Sequence, residues 1–157
     1  MIDSGTFSAA STVDIDLPDG YTTFKLEYYL EKSATSEILY VVTRDGFSTV
    51  ENGASDYAWV LSRYAGSFGG ARDNLDTDVN TVGGTSSEDY NIGNLDILHA
   101  KESTCPTRIK FETDYDNGSP AMAEGWGDYI GTNDAINGIR IAPSAGTITG
   151  LWRLYGM

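Results

Sequence analysis

The chain has 157 residues, with 23 acids against 10 bases and a formal charge of −13. So acidic a balance excludes a nucleic-acid binder, whose phosphate contacts need a basic face, and excludes adhesion to an anionic membrane surface. Eighteen glycines and ten tyrosines beside one histidine point to strands and turns in one domain, and a lone cysteine, Cys105, allows neither an intrachain disulfide nor a zinc site built on cysteines.

The opening "MIDSGTFSAAST" has neither a basic start nor an apolar run, and no stretch approaches the roughly 18 apolar residues of a membrane span. The expectation is a product folded in a cytoplasm. Alternation then dominates. In 21–30, "YTTFKLEYYL", Phe24, Leu26, Tyr28 and Leu30 point one way, and Thr23, Lys25, Glu27 and Tyr29 the other. The stretch 37–44, "EILYVVTR", is apolar on both faces, as an inner strand covered on two sides would be. In 56–64, "DYAWVLSRY", Tyr57, Trp59 and Leu61 share a face. Turn signals separate these runs at "LPDG", "KSATS", "RDG" and "NGAS".

The centre reads differently. Residues 66–89 hold five glycines and few large apolar side chains, which predicts a long loop with at most one short strand near Val79–Val82. Strand signals resume in 90–98, 107–113, 137–143 and 147–156. The sum is about eight strands in an all-β, antiparallel sandwich of jelly-roll type, one domain over 1–157. In the final run Ile148, Leu151 and Leu154 do not keep one parity, so a bulge or bend is expected near Gly150. With apolar residues on both sides of that bend, the strand should lie inside a sheet with both faces buried.

No catalytic residues emerge. His99 stands near Asp96 and Ser103 in "DILHAKES", but there is no nucleophile elbow and triads are not built from sequence neighbours. The glycine-rich "GSFGGAR" at 66–72 lacks the Lys-Ser/Thr of a phosphate loop. For metals, Asp73, Asp76 and Asp78, and separately Asp114 and Asp116 with Asn117 and Gly118, offer the hard oxygen ligands and tight turn that suit Ca²⁺; they also read as solvated acidic turns. Two stretches, 73–100 and 111–139, carry six acids each and no Lys or Arg, so loops gathered at one end of a sandwich would gain from a divalent cation.

Aromatic residues are the remaining candidates. Phe68, Tyr90, Tyr115, Trp126 and Tyr129 lie in or beside glycine-rich segments. Rings flanked by Asp and Asn are suited to stacking on a sugar and bonding its hydroxyls, and equally to packing on the core or at a subunit interface. Trp126, between two glycines in "AEGWGDY", has the least local cover.

Two segments carry a resemblance. The stretch 20–60, with its aromatic-Lys-Leu strand, "TRDG" turn and "ASDYAW" strand, and the closing "INGIRIAPSAGTITGLWRLYGM", together resemble tailed-phage virion surface proteins whose terminal domain ends in an LYG motif. The matched stretches cover about half the chain, and 65–106 matches no pattern. The resemblance implies a jelly-roll sandwich, commonly a homotrimer on the virion exterior, assembled in the host cytoplasm among other virion proteins. It implies no catalytic residues and no cofactor. Its leading functional expectation is a tail-fibre or spike subunit attaching to a host-surface glycan. A capsid-decorating or purely structural virion protein is the alternative, favoured by a sequence that begins almost at its first strand. A carbohydrate-binding module of an enzyme system is the third.

Overall fold

The computed structural model describes residues 1–34, 36–44, 47, 49–64, 68–76, 78–81, 90–116, 120–132 and 134–157, with backbone only at 49, 68, 72–76, 80, 81, 116 and 120. Thirteen strands and no helix occur among them: β1 (Asp3–Ala10), β2 (Val13–Asp16), β3 (Phe24–Lys32), β4 (Ile38–Arg44), β5 (Thr49–Val50), β6 (Tyr57–Tyr64), β7 (Phe68–Asp76), β8 (Val79–Thr81), β9 (Tyr90–Leu98), β10 (Thr107–Asp116), β11 (Pro120–Tyr129), β12 (Gly138–Pro143) and β13 (Ile148–Gly156). They form an antiparallel sandwich of jelly-roll type. An eight-stranded sheet runs β1-β13-β3-β9-β10-β11-β6-β7, and the smaller sheet runs β2-β12-β4-β5 with β8 also pairing β4.

Strand periodicity builds the core directly. In β3 the residues Phe24, Leu26 and Leu30 are fully buried, and Leu95 and Ile97 of β9 stand on the same inner face. Each such side chain contributes roughly 1.5–3 kcal/mol relative to exposure. From the smaller sheet Ile38, Tyr40 and Val42 of β4 and Ile139 and Ile141 of β12 close the sandwich. Strand β4 is covered on its outer side too: Val41 and Thr43 are buried. There the Phe47 ring fills the space that a Cβ at Gly138 would need beside Thr43, so glycine is what lets this cover approach.

Three expectations change. Within 66–89 the short strand expected near Val79–Val82 is present as β8, paired with β4, but the chain also adds β7 to the edge of the large sheet through Tyr64↔Phe68 and its neighbours. Few large apolar residues are needed at a sheet edge, which is why composition read as loop; β1, β2, β5, β7 and β11 raise the total above eight. Strand β13 does lie inside its sheet, between β1 and β3, but only one of its faces is buried. Ile148 and Leu154 are buried and Trp152 partly so, all on the inner face, whereas Leu151 and Arg153 are exposed on the outer. Treating Leu151 as core produced the apparent break in parity. The β13–β3 register runs without interruption past Gly150, and the bulge sits opposite, in β1 between Phe7 and Ala10, where Ala9 takes φ 49° and its N–H donates to Thr149 Oγ1 at 3.0 Å.

Strand β11 is the third change. "PAMAEGWGDY" is not a loop but a regular strand between β10 and β6. Ala121, Ala123, Gly125, Gly127 and Tyr129 point inward, and Met122, Glu124, Trp126 and Asp128 outward. A Cβ at Gly125 would stand 2.7 Å from the Phe111 ring and collide with the Val60 carbonyl, so small inward residues here make room for larger ones on neighbouring strands.

Candidate functional site

The same alternation that buries Phe24 and Leu26 sends Lys25 and Glu27 to the outer face of the large sheet, and the strand order sets what stands beside them. Across β3, β9, β10, β11 and β6, the registers line up Lys25, Asp96, Lys110, Trp126 and Val60 in one row. The next row is Glu27, Asn94, Glu112, Glu124 and Ser62. A groove of about 740 Å³ runs over these rows, bounded also by Leu98 and Met157.

The groove has an aromatic wall and a polar floor. Trp126 is 48% exposed, directly opposite Lys110, so the indole face is available for stacking while its strand is held rigidly inside the sheet. Lys25 Nζ lies 3.2 Å from Glu27, and Tyr155 donates to Glu27 at 3.1 Å; the Lys25 bond leads in holding the Glu27 carboxyl below its ordinary range. Among the described residues, no hydrogen bond or ion pair engages the side chains of Asn94, Asp96, Lys110, Glu112 or Glu124. Donors and acceptors on a sheet surface that are not spent on one another are free to meet hydroxyl groups of a ligand.

Of the residues singled out from sequence, the groove holds Trp126 alone. Tyr129 is fully buried and donates to Glu51 at 2.7 Å, and Tyr115 is buried against Ala121 and Ala123, so neither ring can meet a ligand. Their burial is the core-packing alternative for these rings; what changes is that β11 and the end of β10 are strand rather than loop. Tyr90 is exposed on the outer face but lies beyond the groove, stacked on Tyr29 at 6.4 Å. The Phe68 side chain lies outside the described residues.

The two acidic sets named for Ca²⁺ lie apart from one another in the fold. Asp114 is exposed on β10, whereas Asp73 and Asp76 belong to β7, three strands away and so about 14 Å distant at the usual inter-strand spacing. Asp78 is half-buried immediately before β8, which pairs with β4 of the smaller sheet. The side chains of Asp73, Asp76 and Asp116 lie outside the described residues. His99 does not face Asp96, which lines the groove; its Nδ1 lies 3.2 Å from Glu102.

The groove residues that sequence reasoning passed over are Asn94, Asp96, Lys110, Glu112 and Glu124. Their outward parity on β9, β10 and β11 was the available signal, but parity does not reveal which strands adjoin.

No family model and no curated protein matches this chain. Among solved structures, a galectin of Caenorhabditis elegans, LEC-6, is similar at 13% identity and TM-score 0.41, over 97% of this chain and 95% of that one. A single mutant of Congerin II is similar at 13% identity and TM-score 0.37, over 98% and 100%. A human SPRY domain is similar at 11% identity and TM-score 0.32, over 97% and 82%. Likenesses this distant carry no weight on function, which rests on the residues of this chain.

Proposed function

We propose that this protein is a non-enzymatic virion surface protein of a tailed phage, a tail-fibre or spike subunit that attaches to a neutral glycan on the host surface. The observation that carries the binding reading is the groove: an exposed indole beside a lysine, three carboxylates and an amide that no described side chain engages. Trp126 stacks on the apolar face of a sugar ring, Asp96, Glu112 and Glu124 accept from its hydroxyls, Lys110 donates, and Asn94 does either. Three carboxylates against two ammonium groups, in a chain of charge −13, favour an uncharged saccharide over an acidic one. The virion setting draws its support from the "TRDG", "ASDYAW" and LYG segments, and with it the homotrimeric assembly.

Glycan-array binding of the wild-type chain, with Trp126→Ala as control, tests this. The expected result is a neutral glycan bound by wild type and lost in Trp126→Ala, with the melting temperature nearly unchanged because the indole is half exposed. Absence of any glycan signal overturns the reading.

One observation favours the second reading, a capsid-decorating or otherwise structural virion subunit. The third row of the same face, Leu151, Tyr29, Ile92, Met122 and Tyr64, interrupted only by Asp114, presents an exposed apolar stripe. Such a stripe suits a protein neighbour better than a sugar.

A further inference from the structure

We infer that His99, Glu102 and Cys105, in the connection between β9 and β10, form a three-ligand site for a borderline-soft divalent cation of the zinc class. These residues are spaced three apart, in "HAKESTC". The turn that gathers them is closed by the Glu102 N–H donating to the His99 carbonyl at 3.1 Å, with His99 itself at φ 61°. His99 Nδ1 lies 3.2 Å from Glu102 Oε1, Cys105 Sγ lies 3.5 Å from Glu102 Oε2, and one ligand atom from each residue falls within 4.8 Å of the other two.

The two short separations run to different oxygens of the Glu102 carboxylate, so an ion would draw His99 and Cys105 toward one of them. With metal–nitrogen and metal–oxygen bonds near 2.1 Å and metal–sulfur near 2.3 Å, tetrahedral angles put the donor atoms about 3.4–3.6 Å apart, which small rotations of these exposed and half-buried side chains can reach. The donor set is also selective. Ca²⁺ and Mg²⁺ take oxygen, whereas one imidazole, one thiolate and one carboxylate together suit zinc and cobalt. Glu102 supplies negative charge toward a dication. The neighbouring cations are already engaged: Arg108 with both carboxylate oxygens of Asp128 at 2.6 and 2.8 Å, and Lys101 with Asp19 at 3.2 Å. A recess of about 280 Å³ lined by His99, Cys105, Pro106 and Arg108 leaves room for a water as fourth ligand. On binding, the Cys105 thiol loses its proton to solvent and the sulfur becomes the metal ligand. The single cysteine cannot make a site alone; it makes a third of one.

Titration of the untagged, full chain with Co²⁺ tests this. The expected result is one ion per chain, with a thiolate-to-cobalt charge-transfer band in the near ultraviolet and the intense d–d bands of a tetrahedral ion. Zn²⁺ should displace it. Cys105→Ser should abolish the charge-transfer band. His99→Ala should weaken Co²⁺ by at least the roughly 10–100-fold that follows loss of an outer-shell partner. All three side chains sit on an exposed or half-buried turn, so the metal-free variants should melt with the wild type, which separates ligand loss from misfolding. No charge-transfer band at excess Co²⁺, a band that survives Cys105→Ser, or equal affinity in His99→Ala would each overturn the site.

Discussion

Two polar regions of this sandwich are built on opposite principles. Between the sheets, Tyr57 donates to the Glu51 carbonyl at 2.7 Å and accepts from the Val42 N–H at 2.8 Å. Tyr129 donates to the Glu51 carboxylate at 2.7 Å, and that carboxylate also accepts from Arg44, whose other nitrogen reaches Asp134 at 2.7 Å. These groups satisfy one another. In the groove over the large sheet, Asp96, Lys110, Glu112 and Glu124 stand side by side with no such partners among the described residues. The buried set is matched because an unmatched polar group away from water costs about 1–3 kcal/mol. Water satisfies the groove set without charge, and a ligand can replace that water. The difference teaches where to look for stability and where to look for binding, and the two should separate by mutation.

The largest expected effect falls on the buried set. Glu51→Ala removes an acceptor shared by Arg44 and Tyr129, leaving a tyrosine hydroxyl buried with no carboxylate and a guanidinium held only by Asp134. Breaking such a pair costs about 3 kcal/mol, a fall in melting temperature of roughly 6–12 °C for a domain of this size. Glu51→Gln, which keeps an acceptor, should lose about half as much. Glu51 lines no part of the groove, so glycan binding below the melting transition should be unchanged. A shift under about 2 °C on thermal denaturation would mean the cluster is not a stabilising unit.

A smaller effect, read by pH, sharpens the same point. Burial, with Glu51 adding to it, raises the Tyr129 phenol from 10.0 to about 12, and burial raises Tyr57 as well. A phenol whose folded value exceeds its unfolded value binds its proton more tightly when folded. Its contribution is therefore whole below about pH 10 and is lost as pH climbs through about 12, at about 1.4 kcal/mol per pH unit for each group. Tyr129→Phe should cost about 1–2 kcal/mol near pH 8 through the lost hydrogen bond, and that deficit should close between pH 10 and 12. Urea denaturation of both proteins across that range checks it; a deficit constant with pH would show that Tyr129 does not titrate as a buried phenol.

How much of this was readable from sequence depends on what alternated. In β3, β6, β9 and β10, apolar residues alternate with charged or polar ones, so Phe24 against Lys25, and Ile109 against Lys110, declared their faces outright. In β11 the alternation is small against large: Ala123, Gly125 and Gly127 inside, Glu124, Trp126 and Asp128 outside. Hydropathy carries almost no contrast there, and the glycines imitated a loop. Trp126 is exposed, as expected, but for another reason: its neighbouring glycines face the core and leave room for Phe111 and Val79 rather than baring a turn. Tyr129 was set in a loop by the same error, although its core-packing alternative holds. The groove itself could not be read at all, because β6 is separated from β11 by four intervening strands in sequence yet lies beside it in the sheet. That residues as distant in sequence as Lys25 and Trp126 line one groove is seen only once that order is known.

The smallest expected effect on stability is at Lys110, where the contrast between the two regions is easiest to break. Its side chain is exposed and joined to no described partner. Lys110→Met keeps the length of the aliphatic stem and removes the charge, so nothing buried loses a hydrogen bond. Stability by chemical denaturation should move by less than about 0.5 kcal/mol, with the sign set by slightly greater repulsion among Asp96, Glu112 and Glu124 once their neighbouring cation is gone. Binding should behave in the opposite way. A charged donor to a sugar hydroxyl contributes at least about 1.5 kcal/mol, so calorimetry with the array-selected glycan should show affinity down by about tenfold. Lys25→Met is the internal comparison, because Lys25 is already engaged with Glu27 at 3.2 Å and so has less to offer a ligand; its loss should weaken binding less. If Lys110→Met instead unfolded the protein by more than about 1 kcal/mol while leaving glycan affinity intact, the groove would be ordinary sheet surface with hidden structural pairing. The distinction between matched core polarity and open surface polarity would then have to be abandoned for this fold.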